Sequence, residues 1–194
     1  MRVVLGITGA SGVIYGIKTL EALSERNAEV HLILSDVAEK IIAHETPYKI
    51  PYLKKLASKS YDNSDLFGAP ASGSVLFDGM VIAPCSMKTL ASVSSGHTDN
   101  LISRAADVCL KEKRKLILVP RETPLSIVHI KNMLSAAEAG AMILPAMPAF
   151  YHKPDSVEEF VNYIVCRILD ALEIENKICR RWTDVPHKRG RSDI

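Results

Sequence analysis

Residues 6–12 read GITGASG and directly follow the apolar run RVVL at residues 2–5. A glycine-rich turn between a buried strand and a helix is typical of sites that hold a phosphate, because the helix N-terminus offers unpaired N–H groups there. The spacing of Gly6, Gly9 and Gly12 is not the dinucleotide fingerprint G-x-G-x-x-G. The stretch therefore predicts a strand, a tight turn and a helix at a phosphate site, without indicating a nicotinamide cofactor.

Short apolar runs alternate with helical patterns along the rest of the chain. Strands are predicted at residues 2–8, 29–34, 80–84, 115–120 and 141–145. Helices are predicted at residues 11–26, from Ser35-Asp36 onward, and at 86–93, 99–113, 126–139 and 156–172. Asp99 is the expected N-cap of one helix, and Ser156 with Glu159 fits a capping box. This alternation favours a mostly parallel sheet covered on both faces.

We therefore predict one three-layer α/β/α, Rossmann-like domain over residues 1–182, followed by a polar tail at 183–194. Residues 46–78 interrupt the alternation with three prolines and scattered serine and glycine. Long connections in compact domains tend to be functional loops or small subdomains.

Bulk composition restricts the function classes. The net charge of +2 over 194 residues gives no reason to expect a nucleic-acid partner. The four cysteines form no C-x-x-C pair, and no His and Cys cluster has metal-ligand spacing, so we expect four unpaired thiols and no metal. No apolar stretch approaches the roughly 20 residues of a membrane span. We expect a soluble, cytoplasmic protein.

The residues that follow the predicted strands form a set rich in hydroxyl and backbone amide groups. They are Gly9-Ala10-Ser11, Ser35, residues 85–89, Arg121-Glu122 and residues 147–151. Ligands of open α/β sheets bind at these carboxyl ends, and helix N-termini there suit a phosphorylated cofactor. Ser86-Met87-Lys88-Thr89 could hold a phosphate or simply cap a helix, and Asp36 could bind a ribose or only support its helix N-terminus.

A second set is basic and comprises Arg104, Lys111, Arg121 and Arg167, with Tyr151 nearby in sequence. Arg104 and Lys111 share one helical face and could clamp an anion or be merely solvated. Arg167 lies in an apolar sequence, where an unused charge is costly.

Two carboxylates, Glu45 and Glu122, are candidate acid–base groups, with a surface position as the alternative for each. The chain has no G-x-S-x-G nucleophile elbow. It also has no aspartate-rich D-D-x-x-D stretch that would hold magnesium against a diphosphate. Phosphate chemistry would therefore rely on Lys and Arg.

With these residues assembled, the chain from Gly6 to Trp182 resembles the flavin prenyltransferase family, which is UbiX-like and includes the small subunits associated with phenolic acid decarboxylases. The shared motifs are GITGASG at 6–12, PASGS at 70–74, APCSMKTLA at 83–91, RAADVCLKEKR at 104–114, LVPRETPL at 118–125, PAFYHKP at 148–154 and RW at 181–182. Seven motifs in this order make the resemblance specific.

The resemblance implies a Rossmann-type domain that assembles into a homo-dodecamer with FMN at a subunit interface. It implies transfer of a dimethylallyl group from dimethylallyl monophosphate to N5 and C6 of reduced FMN, without a metal. The prenylated FMN would serve a UbiD-type decarboxylase.

The resemblance also assigns site residues. The implied FMN-binding residues are Gly9, Ala10, Ser11, Ser35, Ser86, Met87, Lys88, Thr89 and Arg121. The implied residues for dimethylallyl phosphate are Arg104, Lys111, Tyr151 and Arg167. The implied catalytic residues are Ser11 as a proton relay, Glu45 near the flavin, Glu122 near the phosphate, and Trp182 near the prenyl group. Leu66 stands where some members carry a tryptophan.

Two alternatives remain open. One is a relative of the FMN-dependent cysteine decarboxylases, for which His44 would be the candidate catalytic histidine. The other is a non-catalytic, flavin-binding protein that assists a decarboxylase.

Overall fold

The computed structural model describes residues 1–184 and contains a six-stranded parallel sheet of order β3-β2-β1-β4-β5-β6. The strands are β1 (Arg2–Ile7), β2 (Glu29–Leu34), β3 (Lys59–Asp62), β4 (Gly79–Cys85), β5 (Lys115–Pro120) and β6 (Met142–Ile143). The chain builds β1 to β3 outward on one side, then returns beside β1 with β4. The order therefore reverses between β1 and β4, and this is where α/β sheets bind ligands.

Among residues 1–184, six α-helices connect the strands and a seventh follows β6: α1 (Ile14–Glu25), α2 (Asp36–Glu45), α3 (Ile50–Leu56), α4 (Met87–Ser95), α5 (Leu101–Lys111), α6 (Ile127–Glu138) and α7 (Val157–Ala171). Short 3-10 helices occur at Ala69–Ala71 and Trp182–Asp184.

The helices divide between the two faces of the sheet because alternate strand residues point to opposite sides. Val3, Leu5 and Ile7 of β1 belong to one buried cluster, which also holds residues of α1, α2, α3 and α7. Val4 of β1 and Ile33 of β2 belong to a second cluster with residues of α4, α5 and α6. This arrangement confirms the predicted three-layer α/β/α class.

The segment at 46–78 carries structure that the sequence patterns did not predict. It forms α3 and the edge strand β3, whose residues are mostly exposed. An edge strand without a buried face shows no apolar alternation, so the period that marks the other strands is missing there.

The expected N-cap at Asp99 is wrong by one residue. Oδ1 of Asn100 accepts from the N–H of Ser103 at 3.1 Å, and Oγ of Ser103 accepts from the N–H of Asn100 at 3.3 Å. Asp99 instead accepts from the Asn100 side chain. The helix begins one residue later because the Asn100 side chain, and not that of Asp99, caps the N–H of Ser103, and the N–H of Leu101 donates to the carbonyl of Asn63. At α7, the Ser156 hydroxyl accepts from the N–H of Glu159, which is one half of the predicted capping box. The Glu159 carboxylate accepts from the N–H of Asp155 and not from that of Ser156.

The expectation of four unpaired thiols is also wrong. Cys166 in α7 and Cys179 form a disulfide, with Cα atoms 5.9 Å apart. The chain turns after α7 and runs back along it, which local sequence spacing does not reveal. Cys85 and Cys109 are free, and burial raises the pKa of each thiol to about 12.

None of the helices between residues 1 and 184 is long and apolar enough to span a membrane. Of the predicted polar tail, residues 185–194 lie outside the described part of the chain, and Thr183 and Asp184 belong to the second 3-10 helix. The boundary of a single domain at residue 182 stays a prediction.

Candidate active site

A cavity of about 330 Å³ lies at the carboxyl ends of β1, β2 and β4, where the strand order reverses. It is lined by Thr8, Gly9, Ser35, Val37, Asn63, Ser86, Met87, Lys88, Thr89, Asn100, Ile102 and Glu122. Seven of these are site residues implied by the resemblance. We call this cavity the switch-point pocket.

The N-termini of α2 and α4 border the switch-point pocket, and a serine caps each of them. Ser35 accepts from the N–H of Ala38 at 3.1 Å at the start of α2. Ser86 accepts from the N–H of Thr89 at 3.3 Å at the start of α4 and donates to the Thr89 hydroxyl at 3.1 Å. The other first-turn N–H groups of an α-helix have no partner within the helix. Capping and anion binding are thus compatible at both N-termini.

Thr8 joins the two strands that meet at the switch point. Its hydroxyl donates to the carbonyl of Pro84 at 2.7 Å and accepts from the N–H of Ser86 at 2.8 Å. Sequence reasoning missed Thr8 because it treated that residue as the end of a strand. The hydroxyl fixes the start of α4 relative to the glycine turn.

Asn63 is a second lining residue that sequence reasoning missed. Its carbonyl accepts from the N–H of Leu101 at 2.7 Å, and its side-chain oxygen accepts from the N–H of Ile102 at 3.1 Å. Asn63 therefore satisfies the N-terminus of α5 from the end of β3. An asparagine directly after a strand would have been the signal, but β3 itself was not predicted.

Glu45, the last residue of α2, contacts the glycine turn. Its Oε2 accepts from the N–H of Gly12 at 2.9 Å. Burial raises the pKa of the Glu45 carboxyl, but hydrogen bonds from the Ser11 hydroxyl and from the N–H groups of Gly12 and Val13, together with the Arg121 charge, leave the pKa lowered overall. The structure thus brings two predicted catalytic residues, Ser11 and Glu45, together at the glycine turn, with the carboxylate ionised at neutral pH.

Arg121 lies beside this turn, directly after β5. A Cβ at Gly12 would stand 3.8 Å from the Arg121 Cγ, and the Arg121 charge also acts on Tyr15, whose pKa is raised mainly by burial. Nε of Arg121 is buried and has no hydrogen-bond partner among residues 1–184. Buried donors are nearly always satisfied, so this nitrogen is suited to an acceptor atom of a ligand.

Gly9 and Ala10 shape the turn through their backbones. A Cβ at Gly9 would lie 2.5 Å from Cγ1 of Val37, which leaves no room for a side chain. Ala10 is buried, and its N–H donates to the carbonyl of Thr8 at 2.9 Å, so that amide is already used within the turn.

A second group of site residues, Tyr151, Arg167 and Trp182, gathers around α7. The Tyr151 and Trp182 rings meet edge to face with centroids 5.2 Å apart, and the Tyr151 hydroxyl donates to the carbonyl of Arg180 at 3.4 Å. Burial raises the pKa of Tyr151. Arg167 lines an adjacent groove of about 470 Å³ between β6 and α7.

Arg167 itself departs from the expectation of an apolar environment. Its side chain is 54% exposed and pairs with Asp170 at 3.2 Å. The periodicity of α7 explains this, because Cys166 and Ile168 point into the core while Arg167 lies on the outer side.

Arg104 and Lys111 form a third group on α5. Arg104 donates to the carbonyl of Ala71 at 3.2 Å and pairs with Asp107 at 2.9 Å. Lys111 pairs with Glu112 at 2.7 Å, and a Cβ at Gly73 would lie 2.9 Å from its Nζ. Both side chains therefore face residues 71–73, as a shared helical face predicts. Neither lines the switch-point pocket or the groove beside α7.

Glu122 lines the switch-point pocket, and its Oε1 accepts from the N–H of Thr123 at 3.1 Å. Lys88 also lines it, largely exposed and 3.8 Å from Asp99. Leu66 is half exposed and does not line the pocket. Within residues 1–184 no group of three or more His, Cys, Asp or Glu side chains could hold a metal ion.

The parallel sheet, the reversal of strand order and a pocket rich in hydroxyl and amide groups define a Rossmann-like protein that binds a phosphorylated cofactor. The sequence profile of the Flavoprotein family matches residues 1–169. The flavin prenyltransferase LpdB of Lactiplantibacillus plantarum is 52% identical over 182 residues, which cover 93% of this chain and 97% of that protein.

Solved structures agree with this match. AnUbiX (PadA1), crystallised with FMN and dimethylallyl pyrophosphate, is 47% identical with a TM-score of 0.92 over 93% of this chain and 96% of its own. A dodecameric FMN-dependent UbiX-like decarboxylase from Escherichia coli O157:H7 is 46% identical with a TM-score of 0.92 over 94% of this chain and 99% of its own. The chain belongs to the flavin prenyltransferases of the Flavoprotein family, and it is an enzyme of the prenyl-transferring class.

Proposed function

We propose that this protein transfers the dimethylallyl group of dimethylallyl monophosphate to N5 and C6 of reduced FMN, releasing inorganic phosphate. The observation that carries the proposal is the hydrogen bond from the Gly12 N–H to the Glu45 carboxylate, with Ser11 and Arg121 beside it, on the glycine turn whose Gly9 lines the switch-point pocket. A carboxylate, a hydroxyl and a guanidinium thus meet where the fold binds ligands.

The residues at the switch point fit FMN. The N-termini of α2 and α4 suit its phosphate, and the unpartnered Nε of Arg121, considered among residues 1–184, suits an acceptor atom of the flavin or its phosphate. We assign FMN binding to Gly9, Ala10, Ser11, Ser35, Ser86, Met87, Lys88, Thr89 and Arg121. Bound reduced FMN supplies the electron-rich N5 and C6 positions that accept the prenyl group.

Glu45 and Ser11 are assigned to proton transfer near the flavin. The ionised Glu45 carboxylate is a proton acceptor at neutral pH, and the Ser11 hydroxyl that donates to it can pass a proton along the same hydrogen bond. Because the turn N–H of Gly12 fixes Oε2, the carboxylate is held in one orientation before substrate binds.

The residues around α7 are assigned to the departing phosphate. Charge-assisted hydrogen bonds from Arg167 and a hydrogen bond from the Tyr151 hydroxyl would stabilise the negative charge that develops on it. Glu122 would provide a proton to the phosphate. The indole of Trp182, packed against Tyr151, would stabilise the allylic cation through its π-face.

Arg104 and Lys111 would complete the phosphate site from a second copy of the chain. Both residues face residues 71–73, away from the linings of the pocket and the groove. We therefore propose a homo-oligomer, a dodecamer like the Escherichia coli relative, with FMN at a subunit interface.

The product would pass to a UbiD-type decarboxylase. Since the reaction consumes reduced FMN, we propose a cytoplasmic location.

The two alternatives make different predictions. His44 is exposed in the last turn of α2, and the likeness to the cysteine decarboxylase TvaF, at 18% identity and a TM-score of 0.61, supports the fold alone. Purified chain with reduced FMN and dimethylallyl monophosphate should yield prenylated FMN. A cysteine decarboxylase would instead act on a C-terminal cysteine peptide, and an accessory protein would bind FMN without turnover.

A further inference from the structure

One carboxylate, that of Asp170 in α7, connects the residues assigned to the prenyl phosphate. Oδ2 of Asp170 accepts from Nη1 of Arg167 at 3.2 Å and from Nη1 of Arg181 at 2.5 Å. Oδ1 accepts from Nη2 of Arg181 at 2.8 Å and from Nδ2 of Asn176 at 3.0 Å. Four donors from three side chains thus converge on one carboxyl group that is only 24% exposed.

The segment after α7, residues 173–184, is held against the helix by these bonds. Arg181 binds Asp170 in a bidentate fashion and also donates to the carbonyl of Asn176 at 3.2 Å. The disulfide between Cys166 and Cys179 joins the same segment to the same helix. We call residues 173–184 the C-terminal strap.

The strap sets the position of Trp182 relative to Tyr151. Trp182 directly follows Arg181, and its ring meets the Tyr151 ring at 73° with centroids 5.2 Å apart. The Tyr151 hydroxyl donates to the strap at the carbonyl of Arg180. Asp170 and Arg181 therefore connect Arg167 with the packed rings of Trp182 and Tyr151.

We propose that Asp170 is a positioning residue for prenyl-phosphate binding, which orients the Arg167 guanidinium and holds Trp182 against Tyr151. This proposal rests on the proposed function of the α7 residues. An isolated exposed pair at i,i+3 contributes little on a helix, but a shared, largely buried carboxylate with bidentate arginine geometry restricts both guanidinium groups. We assign Asp170 no contact with the reacting atoms.

The test is Asp170→Asn, which keeps the shape of the side chain and removes its charge. The KM for dimethylallyl monophosphate should rise roughly tenfold, as for loss of one hydrogen bond to a charged group. The kcat at saturating donor and the Kd for FMN should change by less. Trp182 is the only tryptophan of the chain, so acrylamide quenching of its fluorescence reports the strap directly, and quenching should increase.

Glu21→Gln is the matched control, because it removes the i,i+3 partner of Lys18 on α1 without touching the strap. It should leave KM and quenching unchanged. If folded Asp170→Asn has an unchanged KM and unchanged quenching, the proposal is overturned. If Asp170→Asn does not fold, Arg181→Lys takes its place, and an unchanged KM and unchanged quenching in that variant overturn the proposal.

Absence of product from the wild-type enzyme would refute the proposed function instead. In that event the quenching measurement alone decides whether Asp170 anchors the strap, with an increase supporting it and no change refuting it.

Discussion

The N–H of Gly12 donates to Oε2 of Glu45 at 2.9 Å, across 33 positions of sequence. This bond joins the glycine turn after β1 to the C-terminus of α2, on the side of β1 where β2 lies. With the Ser11 hydroxyl as a second donor, it places a carboxylate against the turn that was expected to hold only a phosphate. Substitutions at this turn should therefore affect proton transfer and cofactor binding separately.

Glu45→Gln should leave FMN bound and slow product formation by roughly 10²-fold, because the amide cannot accept the proton that a carboxylate accepts. Flavin fluorescence titration measures binding, and single-turnover absorbance measures product. Glu39→Gln, on the same helix and paired with Lys54, is the control and should be close to wild type. Wild-type turnover in Glu45→Gln would remove Glu45 from the mechanism.

The lowered pKa of Glu45 also predicts how stability depends on pH. The carboxylate contributes stability that is fully present above the ordinary glutamate pKa of about 4.3 and is lost as pH falls through the lower folded value. Wild type should therefore lose more stability than Glu45→Gln between neutral pH and acid, measured by urea denaturation. Parallel curves for the two proteins would contradict the lowered pKa.

Ser11→Ala separates proton relay from phosphate binding. A relay predicts loss of turnover with FMN retained, whereas a plain phosphate-binding turn predicts loss of FMN. We expect the first result. Ser35→Ala, which removes the cap of α2 at the pocket, should weaken FMN binding and serves as the contrast. If Ser11→Ala lost FMN binding as strongly as Ser35→Ala does, the proton relay would be refuted.

Gly9→Ala should destabilise the protein by roughly 1–3 kcal/mol, because the new Cβ would overlap Val37. Val37→Ala in the same chain removes the overlapping Cγ1 methyl group but keeps the Val37 Cβ, which would lie 2.7 Å from the new Cβ, so it should restore only part of the loss. Urea denaturation of the single and double variants measures this. Failure of the second substitution to restore stability would show that the turn excludes a side chain for another reason.

Lys111→Met and Tyr151→Phe should complement each other. If Lys111 acts on the phosphate site of a neighbouring copy, a co-expressed hybrid oligomer contains sites in which both native residues are present. We expect the hybrid to show activity that neither parent has. Hybrids as inactive as their parents would place Lys111 in the site of its own protomer or outside any site.

The disulfide between Cys166 and Cys179 is testable by thiol counting. Denatured protein kept without reductant should expose two reactive thiols, Cys85 and Cys109, and reduced protein should expose four. Four thiols without prior reduction would show that the strap is held by Asp170, Arg181 and Asn176 without a covalent bond.

Local patterns predicted the parts of the fold that local physics determines. A few neighbouring residues are enough to predict the apolar strands β1, β2 and β5 and the helix caps at Ser35 and Ser86. These elements alone place the glycine turn and two helix N-termini at the same end of the sheet. The switch-point pocket was therefore predictable in outline.

The remaining features depend on contacts between distant segments. Asn63 lines the pocket from an exposed edge strand that shows no apolar period. Arg167 was expected in an apolar environment, yet it meets Asp170 on the outer side of α7. The bond between Asp170 and Arg181 and the disulfide both require the chain to reverse after α7, which sequence spacing does not show.

The most direct measurement is anaerobic incubation of the purified chain with reduced FMN and dimethylallyl monophosphate, followed by mass spectrometry of the flavin and assay of inorganic phosphate. We predict a flavin heavier by one isoprene unit, a changed absorption spectrum and one phosphate released per flavin modified, with no metal added. Unmodified FMN and no phosphate release, in protein that binds FMN, would contradict the proposed prenyl transfer.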